Sequence, residues 1–210
     1  KLWNAARFVL MHAEGQDTGV NDEPVTLDLP ERWIISRLQQ VEQETAEAIE
    51  HYRFDLAAQA LYEFVWNEYC DWYLELSKTV LNDPASTPEA LRGTRRTLVR
   101  VLETALRLLH PFMPYITEEI WQRVAPLAGR SGDTIQHQPY PVADPARIDE
   151  TAQADMDWLM AFVLGVRRIR GEMNIAPGKP LEARVQYATE ADLARLERYR
   201  PYLADLARLE

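Results

Sequence analysis

Apolar residues recur every three or four positions along most of the chain, the period of a helix with one buried face. Leu2, Ala6 and Val9 open that pattern, with Trp3 and Phe8 beside them, and predict a helix from Leu2 to His12. It stops near Gly15, and a loop with Gly and Asp runs to Pro30. Pro30-Glu31 then reads as a helix start, and Trp33, Ile34, Leu38 and Val41 keep the period. This second helix turns acidic at Glu42, Glu44, Glu47 and Glu50, with Ala46 and Ile49 holding its apolar side.

From Phe54 to Lys78 there is neither Gly nor Pro, and Ala58, Leu61, Val65, Tyr69, Trp72 and Leu76 mark one face. An uninterrupted α-helix over that span is about 37 Å long at 1.5 Å per residue. Asn82-Asp83-Pro84 ends it, and Thr87-Pro88-Glu89 restarts the chain with a capping residue before a first-turn proline. A fourth helix is predicted from Glu89 to Leu109, and a shorter one from Tyr115 to Val124 after Pro111 and Pro114. Long helices with short joints predict a mainly α, antiparallel helix bundle over residues 1–125.

Residues 126–150 carry Pro126, Gly129, Gly132, Pro139, Pro141 and Pro145, the composition of an irregular connector, with an extended piece at Thr134 to Gln138. A last bundle helix is expected from Thr151 to Gly171. Asn174 to Lys179 (NIAPGK) is turn chemistry, and Leu181 to Tyr187 alternates like a strand. Ala191 to Leu206 returns to helix, interrupted by Pro201. Residues 151–210 therefore read as that helix followed by a small α/β subdomain. Its strand has no partner in the sequence, which is expected if the chain is cut short there.

Composition narrows the class. With 47% hydrophobic residues the chain can bury a substantial core. No stretch approaches the roughly 20 apolar residues that span a bilayer, and KLWNAARFVL at the start does not read as a secretory leader. Cys70 is the one cysteine, so no intrachain disulfide is available, and a reducing cytoplasm is the expected location. The net charge of -10 argues at first against a nucleic-acid partner, since phosphate contacts need Lys and Arg.

Chemistry is sparse. Eight scattered glycines never form a phosphate loop. His12, His51, His110 and His137 lack the spacing of metal ligands, and Glu118-Glu119 suits the first turn of a helix. No catalytic residue, metal site or cofactor site is expected in this stretch. Charge by segment says more. From Ala13 to Asp55 eleven acids face three bases. From Pro88 to His110, however, Arg92, Arg95, Arg96, Arg100 and Arg107 oppose only Glu89 and Glu103. Arg92, Arg96 and Arg100 stand one turn apart, a stripe that either meets phosphates or makes salt bridges with the acidic helix. Arg167, Arg168, Arg170, Lys179 and Arg184 form a second basic group, around what reads best as a structural turn.

Several long blocks resemble bacterial valyl-tRNA synthetases, in that family's order. They are KLWNAARFVL at 1–10, ERWIISRL at 31–38, YRFDLAAQALYEFVWNEYCDWYLELSK at 52–78, LRGTRRTLVRVLETALRLLHPFMPYITEEIWQ at 91–122 and RIRGEMNIAPGKPL at 168–181. The isoleucyl and leucyl enzymes share the layout but not the 52–78 block in this form. The resemblance implies the anticodon-binding region of a class I aminoacyl-tRNA synthetase. In the full-length enzyme, separate catalytic and editing domains would lie upstream and ATP would drive the joining of valine to its tRNA. The implied partner is the anticodon loop of valine tRNA, with a monomer and no membrane contact.

If successive helices alternate in direction, the ends of the first and third helices meet the start of the fourth. That gathers Met11, His12, Lys78, Asn82, Arg92, Arg95 and Arg96 at one end. Bases of a single-stranded loop can be splayed and read on their edges. Lys78 and the arginines are expected to hold phosphates, and Met11, His12 and Asn82 to meet the second and third anticodon bases, A and C. A helical protein-interaction scaffold with no RNA role is the competing class.

Overall fold

The computed structural model describes residues 1–210 except Asp22 and Pro177. The protein is mainly α-helical, and the chain divides into two compact units, Lys1–Glu150 and Thr151–Glu210.

The first unit is the helix bundle. Its elements are α1 (Leu2–Ala13), α2 (Leu29–Glu50), α3 (Phe54–Glu63), a π-helical segment (Phe64–Tyr73), α4 (Leu74–Leu81), α5 (Pro88–Leu109) and α6 (Pro114–Val124). Their starts follow from local chemistry. At α5, the Thr87 hydroxyl oxygen accepts from the Ala90 amide at 3.2 Å, and Pro88 takes the first helical position. At α2, the Glu31 carboxylate reaches back to accept from the Asp28 amide at 3.2 Å. The core gathers Val9, Trp33, Ile34, Leu61, Leu98 and Trp121, all essentially excluded from water. α1 packs on α5 and α6, and α4 on α5.

The helix expected without interruption from Phe54 to Lys78 runs on to Leu81, with ten π-helical residues in its middle. The wider π turn keeps Phe64, Tyr69 and Tyr73 all inward, although their spacings are five and four residues. Tyr69 donates its hydroxyl proton to the Leu98 carbonyl at 2.8 Å, so the buried phenol is satisfied across the bundle.

Residues 126–150 pack against this bundle. The Pro139 carbonyl accepts from Arg107 at 2.8 Å, and the Asp144 amide donates to Gln39 at 2.8 Å. The extended piece expected at Thr134 to Gln138 is instead a 3-10 turn, Ile135–His137. Thr134 caps that turn, and the Glu118 carboxylate binds both its hydroxyl, at 2.6 Å, and the Ile135 amide.

The second unit holds most of α7 (Glu150–Glu172), then α8 (Glu190–Arg198) and α9 (Arg200–Ala207). Asp155 on α7 accepts from Tyr199 and from Arg195 at 2.8 Å, and Trp158 donates to Asp192 at 2.9 Å. The turn expected at Asn174 to Lys179 includes Pro177, which lies outside the described residues; Asn174 takes the left-handed conformation, with φ 53°. The strand expected from Leu181 to Tyr187 is corrected to a single parallel bridge between Leu181 and Leu209. Among the described residues no further β-bridge joins it to another segment, so alternation alone builds no ladder there.

Candidate nucleic-acid interface

Three chain ends meet at one pole of the bundle. At the end of α1, the His12 ring stacks at a tilt on Phe8, 4.3 Å between centroids, and its Nδ1 lies 2.9 Å from the Phe8 carbonyl oxygen. From the last turn of α4, the Lys78 ammonium lies 5.8 Å from the centre of the same Phe8 ring and 2.6 Å from Glu75. This places His12 and Lys78 on one aromatic ring, a cation beside a flat face. Asn82 is the exposed residue that closes α4, its amide bonded to the Lys78 carbonyl at 2.9 Å.

Met11, 71% exposed, stands one helix face over. It lines a shallow groove of about 550 Å³ with Asn4, Arg7, Phe8, Leu10, Glu14 and Arg123. Arg123 ends α6 and pairs with Glu14 at 2.7 Å. Arg7 and Arg123 carry no motif that marks them in the sequence. Arg7 stands one turn before Met11, and that spacing was the available signal; Arg123 comes from a helix more than 100 residues away in sequence.

The arginines at the start of α5 are arranged differently. Arg92 is drawn to the loop after α1: its Nε donates to Asp17 at 2.5 Å, it lies 3.2 Å from Glu23, and it also donates to the Pro24 carbonyl. That guanidinium holds the Asp17 carboxyl below the usual range. The salt-bridge partners of Arg92 are therefore loop acids, and Arg92 serves to fix the loop. Arg96 runs against the same loop at Gly19, where φ is +66° and an added Cβ would sit 3.2 Å from the Arg96 side chain. Arg95 carries a buried Nε without a hydrogen-bond partner among the described residues.

The second basic group is mostly consumed locally. Arg170 is buried and donates to the carbonyls of Ala176, at 3.0 Å, and of Lys179. Arg168 pairs with Glu172 and Arg167 donates to the Leu206 carbonyl. Among the described residues no group of His, Cys, Asp and Glu could hold a metal ion, and no helix is long and apolar enough to cross a membrane.

One pole of the helix bundle thus carries an aromatic ring, a histidine and a lysine, groups of the kind that stack a base and hold a phosphate. The family model for the anticodon-binding domain of tRNA ligase matches residues 31–186, and the chain belongs to that family. tRNA is thereby the partner, in the setting of an aminoacyl-tRNA synthetase. The matched span covers Lys78, Asn82, Arg92, Arg95 and Arg96, while Met11 and His12 precede it.

Proposed function

We propose that this chain is the anticodon-binding region of a class I, valyl-type synthetase, and that its α1–α4–α5 pole receives the anticodon loop of valine tRNA. The observation that carries the reading is the meeting of His12 and Lys78 on the Phe8 ring beside the Met11 groove. A splayed base needs a flat or soft apolar partner and an edge to hydrogen-bond, and the phosphates on either side need cations. Met11, Phe8 and Arg7 offer the first surface; His12 and Asn82 offer edges; Lys78, Arg95, Arg96 and Arg123 offer charge. Arg92 contributes by holding the loop that borders them.

The valyl assignment draws on the sequence blocks at 52–78 and 168–181, and through them come the other parts of the proposal. The full-length enzyme would act in the cytoplasm as a monomer. Its own catalytic and editing domains would use ATP to join valine to tRNA, and this region would supply no catalytic group.

A mobility-shift titration of the chain with valine tRNA, with a version altered at the middle anticodon base, and with isoleucine tRNA tests this. Salt-sensitive binding that favours the unaltered valine tRNA, and that Lys78→Ala weakens, is expected. Equal binding of all three RNAs would remove the valyl reading, and no binding at all would favour a protein-interaction scaffold.

A further inference from the structure

A second hollow in the bundle lies between α2, α5, the 25–27 loop and residues 128–138, apart from the Met11 groove. Its volume is about 680 Å³, within the range of small-molecule sites. Three kinds of chemistry line it. Arg96 and Arg100 come from α5, Arg130 from the connector after α6, and Arg147 from the 3-10 turn Pro145–Arg147. Val25, Leu27, Ile35, Leu38 and Val101 supply apolar wall. Between them sit two buried carboxylates, Glu42 and Glu103.

The two acids differ in one respect. Glu103 is saturated: Arg107 grips it at 2.8 and 3.0 Å, and Trp121 donates to it at 2.9 Å. Glu42 is 5% exposed, yet its Oε2 has no hydrogen-bond partner among the described residues. Leaving a buried carboxylate oxygen unmade is costly, so a missing donor is implied. Arg147, whose charge acts on Glu42, and Arg96 form no ion pair with any described residue. Several guanidinium groups around one hollow are the arrangement that binds phosphate, through paired N–H donors.

We infer that this cavity binds a nucleoside phosphate. The arginines take the phosphate, Glu42 accepts from a hydroxyl, amino or ring N–H group, and the apolar wall covers the flat face of the base. Burial raises the Glu42 carboxyl from 4.5 to about 7, so a donor from the base would draw it into its ionised form. The nucleotide has two possible sources: a free molecule, or one nucleotide of a bound RNA.

Calorimetric titration of the 210-residue chain with guanosine 5′-monophosphate and with inorganic phosphate, and a binding assay with a short RNA hairpin of scrambled anticodon, test the site. Arg147→Ala should weaken guanosine monophosphate by about tenfold, the loss of one charge-assisted contact. Glu42→Gln should weaken guanosine monophosphate and leave inorganic phosphate unchanged. Lys78→Ala should alter neither, which separates this site from the anticodon pole. If the free nucleotide does not bind while both variants weaken the hairpin, the occupant is a nucleotide of RNA. If Arg147→Ala leaves both the nucleotide and the hairpin unaffected, the inference is overturned; Arg147 is exposed, so that variant remains informative even where Glu42→Gln disturbs folding.

Discussion

The indole nitrogen of Trp121 donates to Glu103 Oε1 at 2.9 Å, with both side chains buried. The same carboxylate carries the Arg107 fork and an ion pair to Arg130 at 3.4 Å, and Arg107 goes on to the Pro139 carbonyl. One acid therefore joins α5, α6 and the connector after them. Removing it strands a buried guanidinium and an indole N–H. Glu103→Ala is expected to cost about 3–5 kcal/mol, read from urea midpoints. A loss below about 1 kcal/mol would show that the network is replaceable by water.

Glu31 predicts a pH dependence. Its carboxyl is fully buried, and burial raises it from 4.5 to about 7 despite the Thr94 hydroxyl that donates to it at 3.0 Å. The fold thus favours the neutral acid. Between pH 4.5 and 7 the unfolded chain releases its proton first, so stability falls as pH rises and is lowest above pH 7. The displacement corresponds to about 3 kcal/mol. Glu42 is raised to about 7 in the same way and adds to the same window. Glu31→Gln should flatten the fall in denaturation midpoint between pH 5 and 8; an unchanged slope would assign it to other groups.

Gly93 marks where the 24–28 loop lies on α5. A Cβ there would sit 2.0 Å from the Thr26 carbonyl oxygen, a backbone atom, beside the Thr26 amide bond to the Glu89 carbonyl at 3.0 Å. Gly93→Ala should lose about 1–3 kcal/mol and release that loop. Faster hydrogen exchange at Thr26 is the specific sign, and unchanged exchange would mean α5 shifts instead.

Cys70 should be a slow nucleophile. Burial pushes its thiol up to about 11, with Lys1 opposing the shift. Since only the thiolate reacts, alkylation by iodoacetamide at pH 8 should run about a hundredfold slower than for a free cysteine. A rate near that of free cysteine would show that the π-helical segment opens readily.

The helices were legible because their apolar period survives in every one of them, and Thr87-Pro88 and Pro30-Glu31 mark starts by chemistry that acts within four residues. What was hidden depends on distance in sequence. The π turns between Phe64 and Tyr73 leave an apolar period that an α-helix would also produce. Glu42 reads as part of an acidic face, yet it falls on the Leu38–Val41–Thr45 side of α2 and is buried with it. At the α1–α4 pole the meeting of His12 with Lys78 followed from helix direction alone. The capture of Arg92 by Asp17 and Glu23 did not, since those acids stand some 70 residues earlier in a loop with no period. Leu181 to Tyr187 has the alternation of a strand, and among the described residues no second strand is there to make that alternation productive.

In the second unit, Arg170 does by a single side chain what a ladder of backbone pairs does in a sheet. Its guanidinium gathers the carbonyls of Ala176, Lys179 and Ala207, and the Leu181 and Glu210 amides, bonded at 3.1 Å to the Arg208 and Leu181 carbonyls, extend the grip. A ladder frays one rung at a time, whereas a rivet either holds or lets go. Ala176, Lys179 and the end of the chain are thus coupled through Arg170, and the amides of Lys179, Leu181 and Glu210 should become exchangeable in a single opening event.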